Sequence, residues 1–363
     1  MTRGVVLLAA LLAGCHRQEG SVGSVSAGGM SAGGAAAVGS AGETSGAGGG
    51  SLVTTKPRAA APVPDNYDAS GCTHPEVKAE CQNGWCKIPA GCFVMGSPES
   101  EWDHAPQEQR VKVTLTRPFV IGQTEVTQRQ WLAAGLPNPS RIYDSGPMAG
   151  QGDGTDPECP VGNVNWFEAV SYANHLSEQE GLEPCYVLRK CTGELGVGLG
   201  LNCESFEITK PTIYECKGYR LPTDPEWEYA ARAGARTAYY NGDITTERGP
   251  GVCVDEPALD GIAWYCSNAG PLTHPVGKLK PNAWGLFDVI GNASEWSNDQ
   301  AGWVPKSETV TDPDQTFGPG QARDWRGGAS YGWPALGRLA ARIGLSDDFK
   351  QPTYGFRLAK TLP

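Results

Sequence analysis

Cysteine is absent from the last part of the sequence: the 12 cysteines end at Cys266, and the stretch "WRGGASYGWPALGRLAARIG" (325–344) contains none. Histidine is scarce, with five residues, and no C-x-x-C pair or Cys/His cluster has the spacing of a zinc site. Beyond the N-terminal apolar run, no segment is apolar enough to cross a bilayer. These absences exclude a zinc-binding module and an internal membrane-spanning helix.

Basic residues are fewer than acidic residues. Lys and Arg number 29 against 40 Asp and Glu, which gives a net charge of −11. Because the two signs are interspersed and form no basic patch, we expect an acidic solvated surface and no nucleic-acid partner.

The first residues have the layout of a secretory signal. Arg3 precedes the short apolar run "GVVLLAALLAG", and Cys15 follows it directly. The segment "LAGC" resembles the bacterial lipobox, so we predict a signal peptide over 1–14 and a lipid anchor at Cys15, where several acyl chains would hold the protein at a membrane. His16, rather than Asp, favours the outer membrane of a Gram-negative bacterium. An ordinary signal peptide cut elsewhere is the alternative.

Residues 15–70 form a predicted disordered tether. The segment 17–51 consists mainly of Gly, Ser and Ala, and it cannot bury enough apolar surface to offset its conformational entropy. Proline in "TTKPRAAAPVPD" stiffens the end of the tether. Residues 71–363 are then sufficient for one large domain.

The cysteines after Cys15 are predicted to form disulfides, because disulfides persist in exported proteins. Spacing alone does not determine connectivity, and Cys159 remains either free or a sign that a pairing based on proximity is wrong. Residues 185–216 form an insert, predicted as a small stapled lobe with short strands at "CYVL" and "FEIT". Proximity along the chain suggests these pairs: Cys72–Cys81, Cys86–Cys92, Cys185–Cys191, Cys203–Cys216 and Cys253–Cys266.

Three helix starts are predicted from capping boxes, in which side chains satisfy backbone N–H groups of the first turn. The pairs are Thr127 with Gln130, Asn165 with Glu168, and Thr223 with Glu226. Strands are expected at "CFVMGS", "QRVKVTLTRPFVIGQTEV" and "YGFRLAK". Few helices, short strands and long loops indicate an α+β fold. Glu125, Glu168 and Glu226 are interpreted as caps or core-edge partners rather than catalysts.

Seven motifs follow one another along residues 84–363. They are "FVMGS" (93–97), "TEVTQRQW" (124–131), "VGNVNWFEAVSYANHLS" (161–177), "YRLPTDPEWEYAARAG" (219–234), "THPVGKLKPNAWGLFDVIGNASEWSND" (273–299), "RGGAS" (326–330) and "GFRLA" (355–359). In this order they resemble the sulfatase-modifying-factor family, whose active member is the formylglycine-generating enzyme. The resemblance implies an irregular α+β fold related to C-type lectin domains, here stapled by disulfides.

The family resemblance also implies a copper site after the Gly-Gly-Ser turn. The active enzyme oxidises a sulfatase cysteine to formylglycine, using molecular oxygen and copper held by two cysteine thiolates, and soft sulfur ligands suit the cuprous ion. The same offsets here give Gly332 and Gly337, and Ala329 replaces the serine of the turn. Copper is therefore not expected as a cofactor.

The substrate groove of the active enzyme is altered as well. The tryptophan that lines it in that enzyme is Ser294 here. The candidates for a groove in this chain are Ser294, Trp296, Arg326, Gly332, Gly337 and Arg342.

The segment "GLFDVIGNASEW" (285–296) resembles the calcium turn of the family. The resemblance implies side-chain ligands at Asp288 and Glu295 and carbonyl ligands at Val289, Gly291 and Ala293. Hard oxygen ligands suit calcium, and Gly291 permits the bend. The alternative is a polar turn whose carboxylates cap backbone N–H groups without a metal.

Three functions are compatible with these features. The first is a lipoprotein that binds a protein, peptide or glycan partner through a domain without an oxidase centre, and contacts the membrane through its lipid anchor. The second is an oxidase of the family, generating formylglycine in sulfatases or acting on another substrate through a different site. The third is a chaperone-like helper of an exported enzyme. A thiolate pair or metal-ligand cluster in the groove would favour the second, and the sequence shows neither.

Overall fold

The structure of the protein is a computed structural model that describes residues 67–140, 156–246, 251–270, 272–316 and 322–363. The predicted signal peptide, Cys15 and the tether up to residue 66 lie outside these residues. Within the described ranges, no helix has both the length and the apolar character needed to cross a membrane.

Three α-helices begin where the capping residues predict. They are α1 (Gln128–Ala133), α2 (Trp166–Gln179) and α3 (Asp224–Arg232). Each is preceded by its expected cap, and in each box both reciprocal hydrogen bonds are formed. These local predictions are confirmed because a capping box needs only residues within one helical turn.

The strands are short and numerous. Within the described residues they are β1 (Cys81–Gln82), β2 (Trp85–Ile88), β3 (Gly91–Met95), β4 (Val111–Leu115), β5 (Phe119–Gly122), β6 (Tyr186–Glu194), β7 (Val197–Ile208), β8 (Ser294–Gln300), β9 (Thr309–Thr311), β10 (Ala322–Arg326), β11 (Ile343–Ser346), β12 (Tyr354–Gly355) and β13 (Ala359–Thr361).

The strands form four small sheets among the described residues, with orders β1-β2-β5-β13, β11-β10-β8-β12, β3-β4-β9 and β6-β7. The C-terminal segment links two of them, because β12 pairs parallel with β8 and β13 pairs antiparallel with β5. Arg357 lies between these two strands. The same segment thus brings the end of β5 close to the turn that precedes β8.

The insert is a single long hairpin of β6 and β7 rather than a lobe of several short strands. Cys191 and Cys203 are direct cross-strand partners and form a disulfide, while Cys185–Cys216 closes the base of the hairpin. The β-pairing extends further than the sequence suggested because the Gly-rich residues between "CYVL" and "FEIT" continue the strands.

All ten predicted disulfide cysteines are bridged, but four of the five predicted pairs are wrong. The Cys253–Cys266 pair is confirmed. Strand pairing decides the others, since the β1–β2 hairpin places Cys81 opposite Cys86 and leaves Cys72 to Cys92. Cys159 is buried and is not free.

One apolar core joins the sheets and helices. Tryptophan provides much of it: five of the 11 tryptophans are among the largest fully buried side chains, namely Trp131, Trp166, Trp227, Trp284 and Trp296. This core is the base on which the loops of the candidate site are fixed.

Candidate functional site

The loop after β10 contains Gly332 and Gly337, the positions that the family resemblance gives for the copper cysteines. The chain turns through Gly327 and Gly328, whose φ angles of 87° and 71° lie in the left-handed region that favours glycine. The loop then ends in a short 3-10 turn over Pro334–Gly337. We refer to residues 327–337 as the glycine loop.

The two positions expected for copper cysteines lie buried in the glycine loop. A Cβ added at Gly337 would lie 2.7 Å from Ile290 Cγ2. One added at Gly332 would lie 3.0 Å from the carbonyl oxygen of Ala329. The surroundings are therefore packed closely at both positions, so a side chain there would require its neighbours to shift.

No described cysteine supplies a thiolate elsewhere. None of the cysteines in the described part of the chain is free. A sulfur held in a disulfide is neither a nucleophile nor a ligand for the cuprous ion, because both roles need the thiolate.

Arg326 and Arg342 do not line a groove, because both are buried in an ion-pair network beneath the glycine loop. Arg326 Nε lies 2.6 Å from Asp224 Oδ1, and its Nη2 donates to Glu228 Oε2 at 2.6 Å. Arg342 Nη1 lies 3.3 Å from Asp224 Oδ2. Burial alone would raise the pKa of Glu228, but the guanidinium groups of Arg232, Arg326 and Arg342 lower that pKa to about 2.

Ser294 and Trp296 are also buried rather than exposed in a groove. Ser294 Oγ donates to the carbonyl oxygen of Gly328 at 2.8 Å and so ties β8 to the glycine loop. Trp296 Nε1 donates to the carbonyl oxygen of Val164 at 2.8 Å. Ser294 thus supports the glycine loop, whereas Trp296 ties β8 to the segment before α2.

Asn292 connects the loops around the glycine loop, a role that the sequence did not reveal. Its backbone N–H donates to the Trp264 carbonyl oxygen at 2.8 Å, and its carbonyl oxygen accepts from Ser330 N–H at 2.9 Å. Its side-chain Oδ1 accepts from the backbone N–H of His274 at 2.8 Å. Asn292 has a φ of 54°, a conformation that asparagine tolerates better than most residues.

Aromatic and imidazole side chains lie on the loops that Asn292 connects. The rings of Trp264 and His274 stack with centroids 3.9 Å apart, and Trp333 is partly exposed. Tyr331 is 40% exposed, and its hydroxyl donates to Gln351 Oε1 at 2.8 Å. We call Trp264, His274, Tyr331 and Trp333 the aromatic surface.

The predicted calcium turn precedes β8. Asp288 is buried with a φ of 54°, and its Oδ2 accepts from Gly277 N–H at 2.7 Å. Its Oδ1 has no hydrogen-bond partner among the described residues. Gly291 must be glycine, because its φ is 79° and a Cβ would lie 2.1 Å from the Trp264 carbonyl oxygen.

Glu295 is held by Arg357. Arg357 Nη2 donates to Glu295 Oε1 at 2.6 Å, and Arg357 Nε donates to Oε2 at 2.6 Å. Trp227 Nε1 donates to the same Oε2 at 2.7 Å. Glu295 is thus engaged by a bidentate, charge-assisted pair in the protein interior.

Glu125 lies against the same turn and is not a helix cap. Its Oε1 accepts from the backbone N–H of Ala293 at 3.3 Å, and its Oε2 has no partner among the described residues. Burial, and then the nearby Asp288 carboxylate, raise the pKa of Glu125 well above its usual value. Burial likewise raises the pKa of Asp288 to about 6. In the described residues no three His, Cys, Asp or Glu side chains are grouped so as to hold a metal by themselves.

Comparison with known proteins gives the family. Residues 73–362 match the sulfatase-modifying factor enzyme 1-like domain. The chaperone protein LppX of Paenibacillus barcinonensis is 33% identical over 241 residues, which cover 61% of this chain and 71% of LppX. The formylglycine-generating enzyme of Streptomyces coelicolor is 26% identical over 328 residues, covering 78% of this chain and 91% of that enzyme.

Among solved structures, Treponema denticola variable protein 1 is similar with a TM-score of 0.59 and 29% identity, covering 76% of this chain and 94% of that one. The expected fold class is thereby confirmed, together with the resemblance found in the seven motifs. The chain belongs to the sulfatase-modifying-factor family.

Proposed function

We propose that this protein is a binding member of the family that does not oxidise cysteine. The glycine loop carries the proposal, because Gly332 and Gly337 are buried and Ile290 packs against the second of them. A cuprous centre needs soft ligands fixed close together, and glycine has no side chain. Removing essential catalytic groups typically lowers a rate by many orders of magnitude.

The aromatic surface is the proposed contact region for a protein, peptide or glycan partner. Its residues sit on loops fixed by Asn292, and a rigid base with side chains on loops is a common arrangement for binding. Tyr and Trp are enriched among the residues that dominate binding energy.

A chaperone for an exported protein is the second candidate. The similarity to LppX, which is named a chaperone, favours it. The two candidates differ in the partner's state, because a chaperone binds the unfolded form of its client more strongly than the native form.

Attachment to the cell envelope through Cys15 is part of the proposal. It is supported by the lipobox-like "LAGC" after a short apolar run. Mass spectrometry of the mature N-terminus should find a lipidated Cys15. An unmodified terminus that begins at another residue would contradict the anchor and its predicted outer-membrane location.

The turn before β8 fits a structural calcium ion. Asp288 offers a buried carboxylate oxygen without a described partner, and the carbonyl oxygens of Val289, Gly291 and Ala293 would complete a set of hard donors. An ion that binds only the native state stabilises the fold by mass action. We assign calcium this supporting role and no part in catalysis.

The binding proposal can be tested with the full chain and three variants. Membranes of the source bacterium are incubated with wild type, Tyr331→Ala, Trp333→Ala and the control Leu199→Ala, whose side chain is 95% exposed on the hairpin insert. A partner captured by wild type and Leu199→Ala, and lost with the aromatic variants, is the expected result. Equal capture by all four would contradict a role for the aromatic surface. If the captured partner then binds more tightly after unfolding, the chaperone function is favoured.

A further inference from the structure

We propose that Glu125, and not Glu295, is the second carboxylate ligand of the cation bound at the Asp288 turn. The inference rests on the proposed calcium site and changes the set of residues that forms it. Glu125 follows β5, about 160 residues before the turn, so no motif in the turn itself could reveal it.

Glu295 is already satisfied by the protein. Its two oxygens accept three hydrogen bonds, two from Arg357 and one from Trp227, at 2.6 to 2.7 Å. The Arg357 guanidinium also donates to the carbonyl oxygens of Gly122 and Phe287, which fixes it at this position. A divalent cation on Glu295 would therefore face a buried positive charge.

Glu125 and Asp288, in contrast, are not fully hydrogen-bonded by the protein. Each has one oxygen bonded to a backbone N–H near the turn, Glu125 to Ala293 and Asp288 to Gly277. Each has a second buried oxygen without a partner among the described residues. Leaving a buried carboxylate oxygen unpaired is costly, and one cation bound between the two carboxylates would satisfy both oxygens.

The charge balance of the cluster gives the same result. Glu125, Asp288 and Glu295 carry three negative charges when ionised, and Arg357 carries one positive charge, so the three carboxylates exceed the guanidinium by two. One divalent cation restores neutrality. Because Glu295 and Arg357 neutralise each other, the uncompensated pair is Glu125 with Asp288.

The test compares calcium binding by the full-length protein and isosteric variants. Thermal melts in calcium and in chelator, with terbium luminescence sensitised by nearby tryptophan, are recorded for wild type, Glu125→Gln, Asp288→Asn and Glu295→Gln. We expect Glu125→Gln and Asp288→Asn to weaken binding by roughly 10- to 100-fold and to lose the calcium-dependent rise in Tm, since affinity follows the number of charged ligands. Glu295→Gln should lower Tm in both buffers and keep the calcium-dependent rise.

The double variant Glu295→Gln/Arg357→Met is a control for destabilisation by an unpaired buried charge, because it removes both members of the buried ion pair. It should bind terbium like wild type. Loss of binding in the Glu295 variants, with Glu125→Gln unchanged, would overturn the inference and leave the calcium proposal intact. A wild type that binds neither ion would overturn both.

Discussion

Two clusters of buried charged groups in the described part of the chain are balanced differently. Beneath the glycine loop, three carboxyl groups face three guanidinium groups, namely Asp224, Glu228 and Asp324 with Arg232, Arg326 and Arg342. At the Asp288 turn, three carboxyl groups face the single guanidinium of Arg357. The first region has as many guanidinium groups as carboxyl groups, although Asp324 keeps one oxygen without a partner among the described residues. The second region has two more carboxyl groups than guanidinium groups.

This difference in charge balance is the reason for proposing a cation site at the Asp288 turn and not beneath the glycine loop. At Gly332 and Gly337, the atoms nearest an added Cβ belong to the Ala329 backbone and to the side chain of Ile290. At the turn, the excess charge and two unpaired oxygens require an external cation or retained protons.

The largest effect is expected from breaking the balanced network. Arg326→Met leaves Asp224 with only the longer contact to Arg342 and Glu228 with only Arg232, so buried carboxylates are then in excess. The substitution should lower the free energy of unfolding by about 3–5 kcal/mol. The control Arg129→Met, at an exposed pair with Glu158, should change it by less than about 1 kcal/mol. Urea unfolding measures both, and equal small effects would show that the network is not structural.

A smaller effect is expected from pH. Burial, and then the Asp224 carboxylate, raise the pKa of Asp324 to about 8, against the lowering effect of Arg342 and Arg326. This pKa lies above the usual 3.8, so protonated Asp324 contributes to the free energy of unfolding. That contribution is fully present below pH 3.8 and is lost as pH rises through about 8. Asp299, whose pKa burial also raises, acts in the same direction.

Glu228 does not contribute to this dependence of the free energy of unfolding on pH. Its pKa of about 2 means that its stabilisation is lost only in acid, as pH falls through about 2. The free energy of unfolding should therefore fall between pH 5 and pH 8.5 by an amount on the order of a few kcal/mol, and Asp324→Asn should flatten the fall. An identical slope in wild type and variant would contradict the assignment to Asp324.

Filling the glycine loop should have a moderate cost. Gly337→Cys places a Cβ 2.7 Å from Ile290 Cγ2, and such overpacking should lower the free energy of unfolding by about 1–3 kcal/mol. In the Ile290→Ala background the same substitution should cost less, so a double-mutant cycle isolates the contact. A cost that is the same in both backgrounds would show that Ile290 does not close this position.

The smallest effect on stability is expected at the aromatic surface. Tyr331→Ala removes a side chain that is 40% exposed, and it should change the free energy of unfolding by less than about 1 kcal/mol. A binding residue of this type contributes about 2 kcal/mol or more to affinity. A variant that loses partner capture and keeps its Tm separates contact from folding, and a large fall in Tm would identify Tyr331 as structural.

Local features of the fold could be predicted from the sequence. Thr127, Asn165 and Thr223 cap their helices because the required partner lies three residues ahead in each case. The seven motifs gave the family, and the Cys253–Cys266 bridge was correctly paired.

Features that depend on distant contacts could not be predicted. Cys72 pairs with Cys92 because strand pairing, not chain distance, brings cysteines together. Arg326 and Arg342 resemble groove residues in sequence, and their burial follows only from the position of α3. The sequence around Glu125 favours a cap or core-edge partner, since no nearby residue along the chain indicates that Glu125 lies beside Asp288 in the fold.

The most direct test of the central claim is an assay for formylglycine. The purified full chain is incubated with copper, reductant, oxygen and a peptide containing the sulfatase Cys-x-Pro-x-Arg motif, and loss of sulfur from the cysteine is measured by mass spectrometry. Because the glycine loop holds no thiolate and no described cysteine is free, we predict conversion equal to that of the control with metal alone. Turnover above that control would contradict the account, since it would require an oxidase centre that the glycine loop does not contain.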